Sequence, residues 1–262
     1  MNTMQTALIR KDLKSITANK QLLASMIIVP IVLTVIIPSV FILMFHFMPN
    51  DFDDFNAMLN MLPIDIQPDN MQYAIISLII NSIMPVFFII IPIMTASIMA
   101  ASAFVGEKEK RTLETLLYCP LSLKQIFRAK ILSSFIMSVL VSALSFSIMT
   151  LVTQIEIFLT TGSLVLPDIS WLVVLLLVAP SVSLISITFI VRGSAKAQSM
   201  EESQQRSALL VLPIIFLVAG QFGGIILINI WILLGLGVLL AVIALISLNS
   251  SFRKISYESL LR

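Results

Sequence analysis

Side chains able to do covalent or metal chemistry are scarce in this sequence, and the scarcity narrows the function. One histidine, His46, and one cysteine, Cys119, stand alone. A His–His or cysteine-based metal site, an internal disulfide and a histidine-assisted serine hydrolase therefore have nothing to be built from. No G-x-x-x-x-G-K-[S/T] phosphate loop occurs, so the chain has no motif for binding ATP itself. Glu156 is the one acid inside an apolar run. An intramembrane acid is a functional candidate by default, but this one lies at the end of its run and reads as an interface residue. Ser134, Ser138, Ser142 and Ser145 recur at helical spacing and form one continuous hydroxyl face. Such a face serves close helix packing or lines a polar path. No residue set qualifies as catalytic.

Recognition chemistry is better represented. The densest charge lies in residues 106–130, where Glu107, Glu109 and Glu114 interleave with Lys108, Lys110 and Arg111. Leu113, Leu116 and Leu117 fall at i, i+3 and i+4, one face of a short helix. Pro120 stops that helix. Ser122 followed by Gln125 is a capping-box pattern, which starts a new helix running into the next apolar stretch. The spacing predicts a short amphipathic helix over 105–122 standing out of a membrane, then a sharp turn back. Its two readings are a solvated connector with leucines on the lipid surface and a docking element for a partner. Cys119 reads as a small filler beside it.

The elements that must position these residues are apolar. The chain has 262 residues, 58% hydrophobic and 11% charged, with mean hydropathy +1.05. Soluble domains are about a quarter charged, so the solvent for this surface is lipid. A bilayer core needs about 20 helical residues. Apolar runs meet this near 21–46, 74–104, 131–156, 171–191, 208–228 and 230–250. They are too long, and alternate too little, for a β-barrel. The expectation is an all-α polytopic protein, residues 1–262 forming one transmembrane domain of about six helices. The weakest division falls at Gly223, Gly224 and Asn229, which leaves room only for a short gate near Gly220–Gly224. Pro30, Pro38, Pro85, Pro92, Pro180 and Pro213 lie within the runs. They read as ordinary membrane-helix prolines or as hinges.

All 16 Lys and Arg fall before the first run, between the second and third, between the fourth and fifth, or after the sixth. The positive-inside rule places those segments and both termini in the cytoplasm. Arg10, Lys11, Lys14 and Lys20 precede a run too long for a signal peptide and without a cleavage site, so it reads as a retained anchor. Ile9, Leu13 and Ile16 share an apolar face beside Arg10 and Lys14, which suits an amphipathic helix over 1–20 lying in the membrane interface. The connection at 47–73 is acidic, carrying Asp51, Asp53, Asp54, Asp65 and Asp69. A net charge of +2 and no basic patch interleaved with aromatics argue against nucleic acid.

The run Glu107-Lys-Glu-Lys-Arg-Thr-Leu-Glu-Thr-Leu-Leu-Tyr-Cys-Pro-Leu-Ser122 resembles the signature of type-2 ABC transporter permeases, especially the sodium-efflux and antibiotic-export subgroup. There an acidic-basic run leads into Gly-Thr-Leu-Glu-x-Leu-Leu, then Pro and a hydroxyl residue, then a Lys where the third span begins. Thr112, Leu113, Glu114, Leu116, Leu117, Pro120, Ser122 and Lys130 match, and Arg111 replaces the frequent Gly. The segment from Ser194 to Ser207, before the fifth span, is similar to the same subgroup, and the N-terminal helix fits it. Residues 208–250 barely hold two spans, where the family commonly adds re-entrant helices.

The resemblance implies the permease subunit of an ATP-driven exporter. Its coupling residues would be Glu107, Glu109, Thr112, Leu113, Glu114, Leu116, Leu117 and Pro120, the acids meeting basic groups of an ATP-binding subunit and the leucines filling its apolar groove. The chain itself would be no enzyme and hold no cofactor, ATP and Mg being bound by that subunit. Two copies of it and a second permease, identical or homologous, are the implied partners, in a bacterial cytoplasmic membrane. The alternative is an ion-coupled secondary transporter or channel working without ATP. Such carriers place acids or broken helices at the midplane, and no mid-span acid is present.

Overall fold

The computed structural model describes residues 3–47, 71–110, 112, 121–194, 197–222 and 228–253. Among the described residues every regular element is a helix. Six helices are long and apolar enough to cross a membrane. In chain order they are the first span Lys20–Met44, second Ile75–Glu109, third Leu123–Thr161, fourth Ile169–Gly193, fifth Met200–Gln221 and sixth Ile230–Phe252. The chain is an all-α, multi-pass membrane protein. The acidic connection at 48–70, the leucine-bearing residues 113–120 with Cys119, and Gly223 and Gly224 lie outside the described residues, as does the side chain of His46.

The helix α1 (Thr3–Ala18) precedes the first span. Asn19 separates the two, its Oδ1 accepting the amides of Gln21 and Leu22 at 3.1 and 3.3 Å. The apolar face expected to lie in the membrane interface is turned largely onto the bundle. Leu8 and Ile9 pack on Ile126 and Ala129 of the third span, and Ile16 on Met26 and Met99. Arg10 and Lys14 stay exposed. α1 thus contributes to the core.

The second span is the central post, 78% of its apolar window buried against 17% for the sixth. Ala96, Ala100, Ala101 and Ala103 let neighbouring helices approach its backbone and pack with Phe127, Ile187 and Ile190. The third span is one 39-residue helix that starts at Leu123, ahead of the expected apolar run. Its capping box is formed, Ser122 N–H donating to Gln125 Oε1 at 2.9 Å and Gln125 N–H to Ser122 Oγ at 3.4 Å. It ends at Gly162 with φ 69°, the left-handed position glycine favours. Along it, Ser134, Ser138, Ser142, Ser145, Met149, Thr153 and Ile157 face inward, while Leu140, Leu144, Leu151, Ile155 and Leu159 are exposed. Polar inside and apolar outside is the arrangement lipid demands. The fifth span likewise starts early, at Met200, where Ser199 Oγ accepts the Glu202 amide at 3.2 Å.

The sixth span leans on the fourth through Gly237, where a Cβ would lie 2.7 Å from Leu177 Cδ2 and 3.2 Å from Val178 Cγ2. Gly237→Leu is expected to destabilise the bundle by about 1–3 kcal/mol through overpacking, seen as a lower thermal unfolding midpoint in detergent. At Gly235 a Cβ meets nothing within 4 Å, and Gly235→Leu is expected to leave the midpoint unchanged.

Candidate functional site: a buried charge cluster at the root of the 106–122 segment

The second-span helix ends at Glu109, with Lys110 N–H bonded to the Gly106 carbonyl at 3.1 Å. Glu107 therefore sits in the last turn, where the helix dipole disfavours a carboxylate. Two lysines from two other elements compensate. Lys130 of the third span, 2% exposed, donates to Glu107 Oε2 and to the Ala103 carbonyl. Its ammonium also stands 5.4 Å from the centre of the Phe104 ring. Lys11 of α1 lies 2.5 Å from Glu107 Oε1. Asp12, one residue on and 5% exposed, accepts the Ser133 hydroxyl at 3.3 Å. Two cations and two anions make the cluster neutral.

These contacts differ in weight. Lys11 is half exposed, so its pairing is screened and worth about 0–1 kcal/mol. Lys130 and Glu107 are enclosed, and losing either partner strands a buried charge, at about 3–5 kcal/mol. Burial pushes the Asp12 carboxyl above its usual range; Lys130 opposes this, Glu107 adds to it, and Lys11 and the Ser133 hydrogen bond oppose it. A cavity of about 450 Å³ opens beside the cluster, lined in part by Ser15, Met99, Ser102 and Thr112.

The cluster roots the segment that the sequence marks for recognition. Thr112 binds the Glu107 carbonyl through its amide at 2.9 Å and its hydroxyl at 3.3 Å. Glu109 Oε2 accepts the Met200 amide at 3.2 Å, tying the second span to the start of the fifth. Gly106 permits this approach, since a Cβ there would lie 2.8 Å from Met200 Sδ. On the far side Leu121 packs with Leu8, Ile9 and Ile126. Thr112 and Leu121, the described residues on either side of 113–120, are thus held on one base. Leu113, Glu114, Leu116, Leu117 and Pro120 lie outside the described residues.

Glu107 and Glu109 are placed differently from the expectation that they meet a partner's basic groups. Glu107 is enclosed by lysines of this chain and Glu109 caps a helix of it. Asp12 was not singled out by its sequence, although an acid between Ile9 and Ile16 on an apolar face was a signal. The serine face is engaged within the bundle. Ser134 donates to the Lys130 carbonyl at 2.9 Å, and Ser145 to that of Val141 at 2.7 Å. Ser138 donates to the Pro92 carbonyl at 3.0 Å and lies 2.8 Å from the Ser183 hydroxyl. Ser142 Oγ is buried without a partner. Among the described residues no three His, Cys, Asp or Glu side chains group as a metal site.

A model of the ABC-2 type transporter family matches residues 5–219, and the chain belongs to that family. No curated protein and no solved structure matches it.

Two measurements test the cluster. Lys130→Met alone is expected to cost about 3–5 kcal/mol of stability, with the double variant Lys130→Met/Glu107→Gln recovering most of that loss; thermal midpoints in detergent report both. For Asp12 the raised carboxyl means that its favourable contribution is fullest below the unfolded value near 3.8 and is lost as pH rises through the folded one. The midpoint of Asp12→Asn relative to the parent chain is therefore expected to climb as pH is raised from about 4 to 8.

Proposed function

We propose that this ABC-2 type permease is the membrane half of an ATP-driven exporter, and that the 113–120 segment receives the push of a separate ATP-binding subunit. The observation that carries this reading is the rooting of that segment, at Thr112 on Glu107 and at Leu121 against α1. A displacement of the segment acts on Glu107, and through Lys11 and Lys130 on α1 and the third span together. Leu113, Leu116 and Leu117 supply the apolar docking face and Glu114 a charged contact, while Pro120 ends the helix. Glu107, Glu109 and Thr112 act behind that face as its mount.

The sorting of all 16 cations supports an orientation with the cluster and both termini in the cytoplasm. The run at 107–122 supports kinship with sodium-efflux and antibiotic-export permeases, in a bacterial cytoplasmic membrane. The working assembly is two permeases, identical or homologous, with two ATP-binding subunits that bind ATP and Mg. Ser138 contributes by bonding the third span to the second and fourth, while Ser134 and Ser145 satisfy their hydroxyls within the third.

The test is purification of the tagged chain from its native membranes in mild detergent, with a vanadate-sensitive ATPase assay on every fraction. A co-purifying ATP-binding protein with ATPase activity is expected. Leu113→Asp combined with Leu117→Asp is expected to abolish both its recovery and its stimulation. Recovery of the chain alone, without ATPase in any fraction, overturns the reading in favour of an ion-coupled carrier. Full stimulation in the double variant overturns the placement of the coupling face.

A further inference from the structure

Three spans are broken in the same way. Five-residue π-helical turns occupy Val32–Ile36 in the first, Ile79–Ile83 in the second and Val174–Val178 in the fourth. Each ends two residues before a proline, respectively Pro38, Pro85 and Pro180. The residue at the centre of each turn, Thr34, Asn81 and Leu176, stands four before that proline. That is the carbonyl a proline ring strikes in an α-helix, and widening the turn relieves the clash. A second consequence follows from the hydrogen-bond register. Ile37, Met84 and Ala179 donate to Val32, Ile79 and Val174, five residues back. The next carbonyls, of Leu33, Ile80 and Leu175, therefore face a proline without an N–H.

In the second span one neighbouring helix supplies the missing donor and a second reaches a carbonyl beside it. Trp171 Nε1–H, at the start of the fourth span, donates to the Ile80 carbonyl at 3.1 Å. Gln221 Nε2–H, at the end of the fifth, donates to the Ser82 carbonyl at 3.0 Å. Both side chains are enclosed, Trp171 at 1% and Gln221 at 0% exposure. Asn81 Oδ1 accepts the Asp168 amide at 3.0 Å, fixing the connection that leads into the fourth span. Val32–Ile36 packs on Met84–Phe88 just beyond the break. Three spans are joined to one weakened helix at the end of the bundle away from the charge cluster.

We propose that Trp171 and Gln221 are positioning residues that latch this break, and that it is the gate at that end of the transport path. The proposal rests on the permease reading. With both hydrogen bonds made, the fourth and fifth spans are held against Ile80 and Ser82 and the end is closed; their parting opens it. Gln221 Oε1 has no partner although it is enclosed. The closed state therefore carries an unmet polar group that water satisfies on opening, which keeps the two states close in free energy.

The test uses the full chain in lipid nanodiscs, with Cys119→Ser to remove the native thiol and a single reporter, Ile83→Cys or Ala100→Cys. Both native side chains are 0% exposed, one at the break and one deeper in the same span. Labelling by a water-soluble maleimide is compared in the parent, in Trp171→Phe, which keeps a ring and loses the donor, and in Gln221→Leu. Labelling at Ile83→Cys is expected to rise about five- to tenfold in Trp171→Phe, the population change that losing one net hydrogen bond brings, and by less in Gln221→Leu, which also removes the unmet Oε1 from the closed state, with Ala100→Cys unchanged. Unchanged labelling at Ile83→Cys in both variants overturns the proposal, and so does a parallel rise at the two reporters, which would mean general loosening. Amide hydrogen exchange in the unsubstituted chain is an independent check, with faster exchange expected at 79–85 than at 94–102 and equal protection overturning the gate. None of these readouts needs an ATP-binding subunit or cargo, so the gate and the exporter reading fail separately.

Discussion

Hydrocarbon offers no hydrogen bonds, so each hydroxyl, carbonyl and charge inside a span must find its partner in the chain or stay unmet. The inward face of the third span is organised by that constraint. Its serines donate to carbonyls of their own helix and of the second span. Ser97 and Ser186 pair at 2.5 Å between the second and fourth. The bonds that cross between spans, of Ser138 and of Ser97 with Ser186, specify which helix lies beside which, a job that apolar contact does poorly when lipid tails are as apolar as leucine.

The same constraint explains why Glu107 is surrounded as it is. A carboxylate in the last turn of a largely buried helix meets the dipole's negative end and little water. Replacing such a pair by apolar residues often costs little or even stabilises, so stability alone is weak grounds for keeping it. What the cluster does supply is geometry. Glu107 has two oxygens and uses one for α1 and one for the third span, so the position of one side chain fixes three elements at the place where the 113–120 segment departs.

Much of this was legible in the residues, and the parts that were not share a physical cause. Hydropathy and the sorting of lysine and arginine report on solvent, so the number of spans follows from them. The Ser122–Gln125 box is local chemistry, and its helix formed where the pattern predicts. The helix ends were harder. Leu123 and Met200 begin helices ahead of their apolar runs because capping and tertiary contacts, not hydropathy, decide where a helix starts. The roles of Asp12 and Glu107 depend on elements about a hundred residues apart meeting in space, and no spacing rule encodes that. The prolines were visible as hinges or fillers. Only the observed register shows that three of them act with a widened turn and that Pro92 does not, since a break at Ile89 precedes it.

The second span links these features into one mechanical path. Between the break at 79–85 and the cluster at Glu107 runs the helix Ile90–Glu109, 20 residues and about 30 Å long. Most of its residues are buried, so it moves as a unit. Lysines hold its Glu107 end, and its Ile90 end leads through the break at Ile89 and the short helix Met84–Phe88 to the two carbonyls that an indole and a carboxamide hold. Polar contacts of this kind in a low-dielectric surrounding are either made or lost, with little between. A rod whose two ends are fastened in that way responds to a push at one end by shifting as a body, and the fastening with the smaller margin gives first. The enclosed, half-satisfied Gln221 has less margin than the fully paired Glu107, so the break opposite the cluster is where the motion comes out.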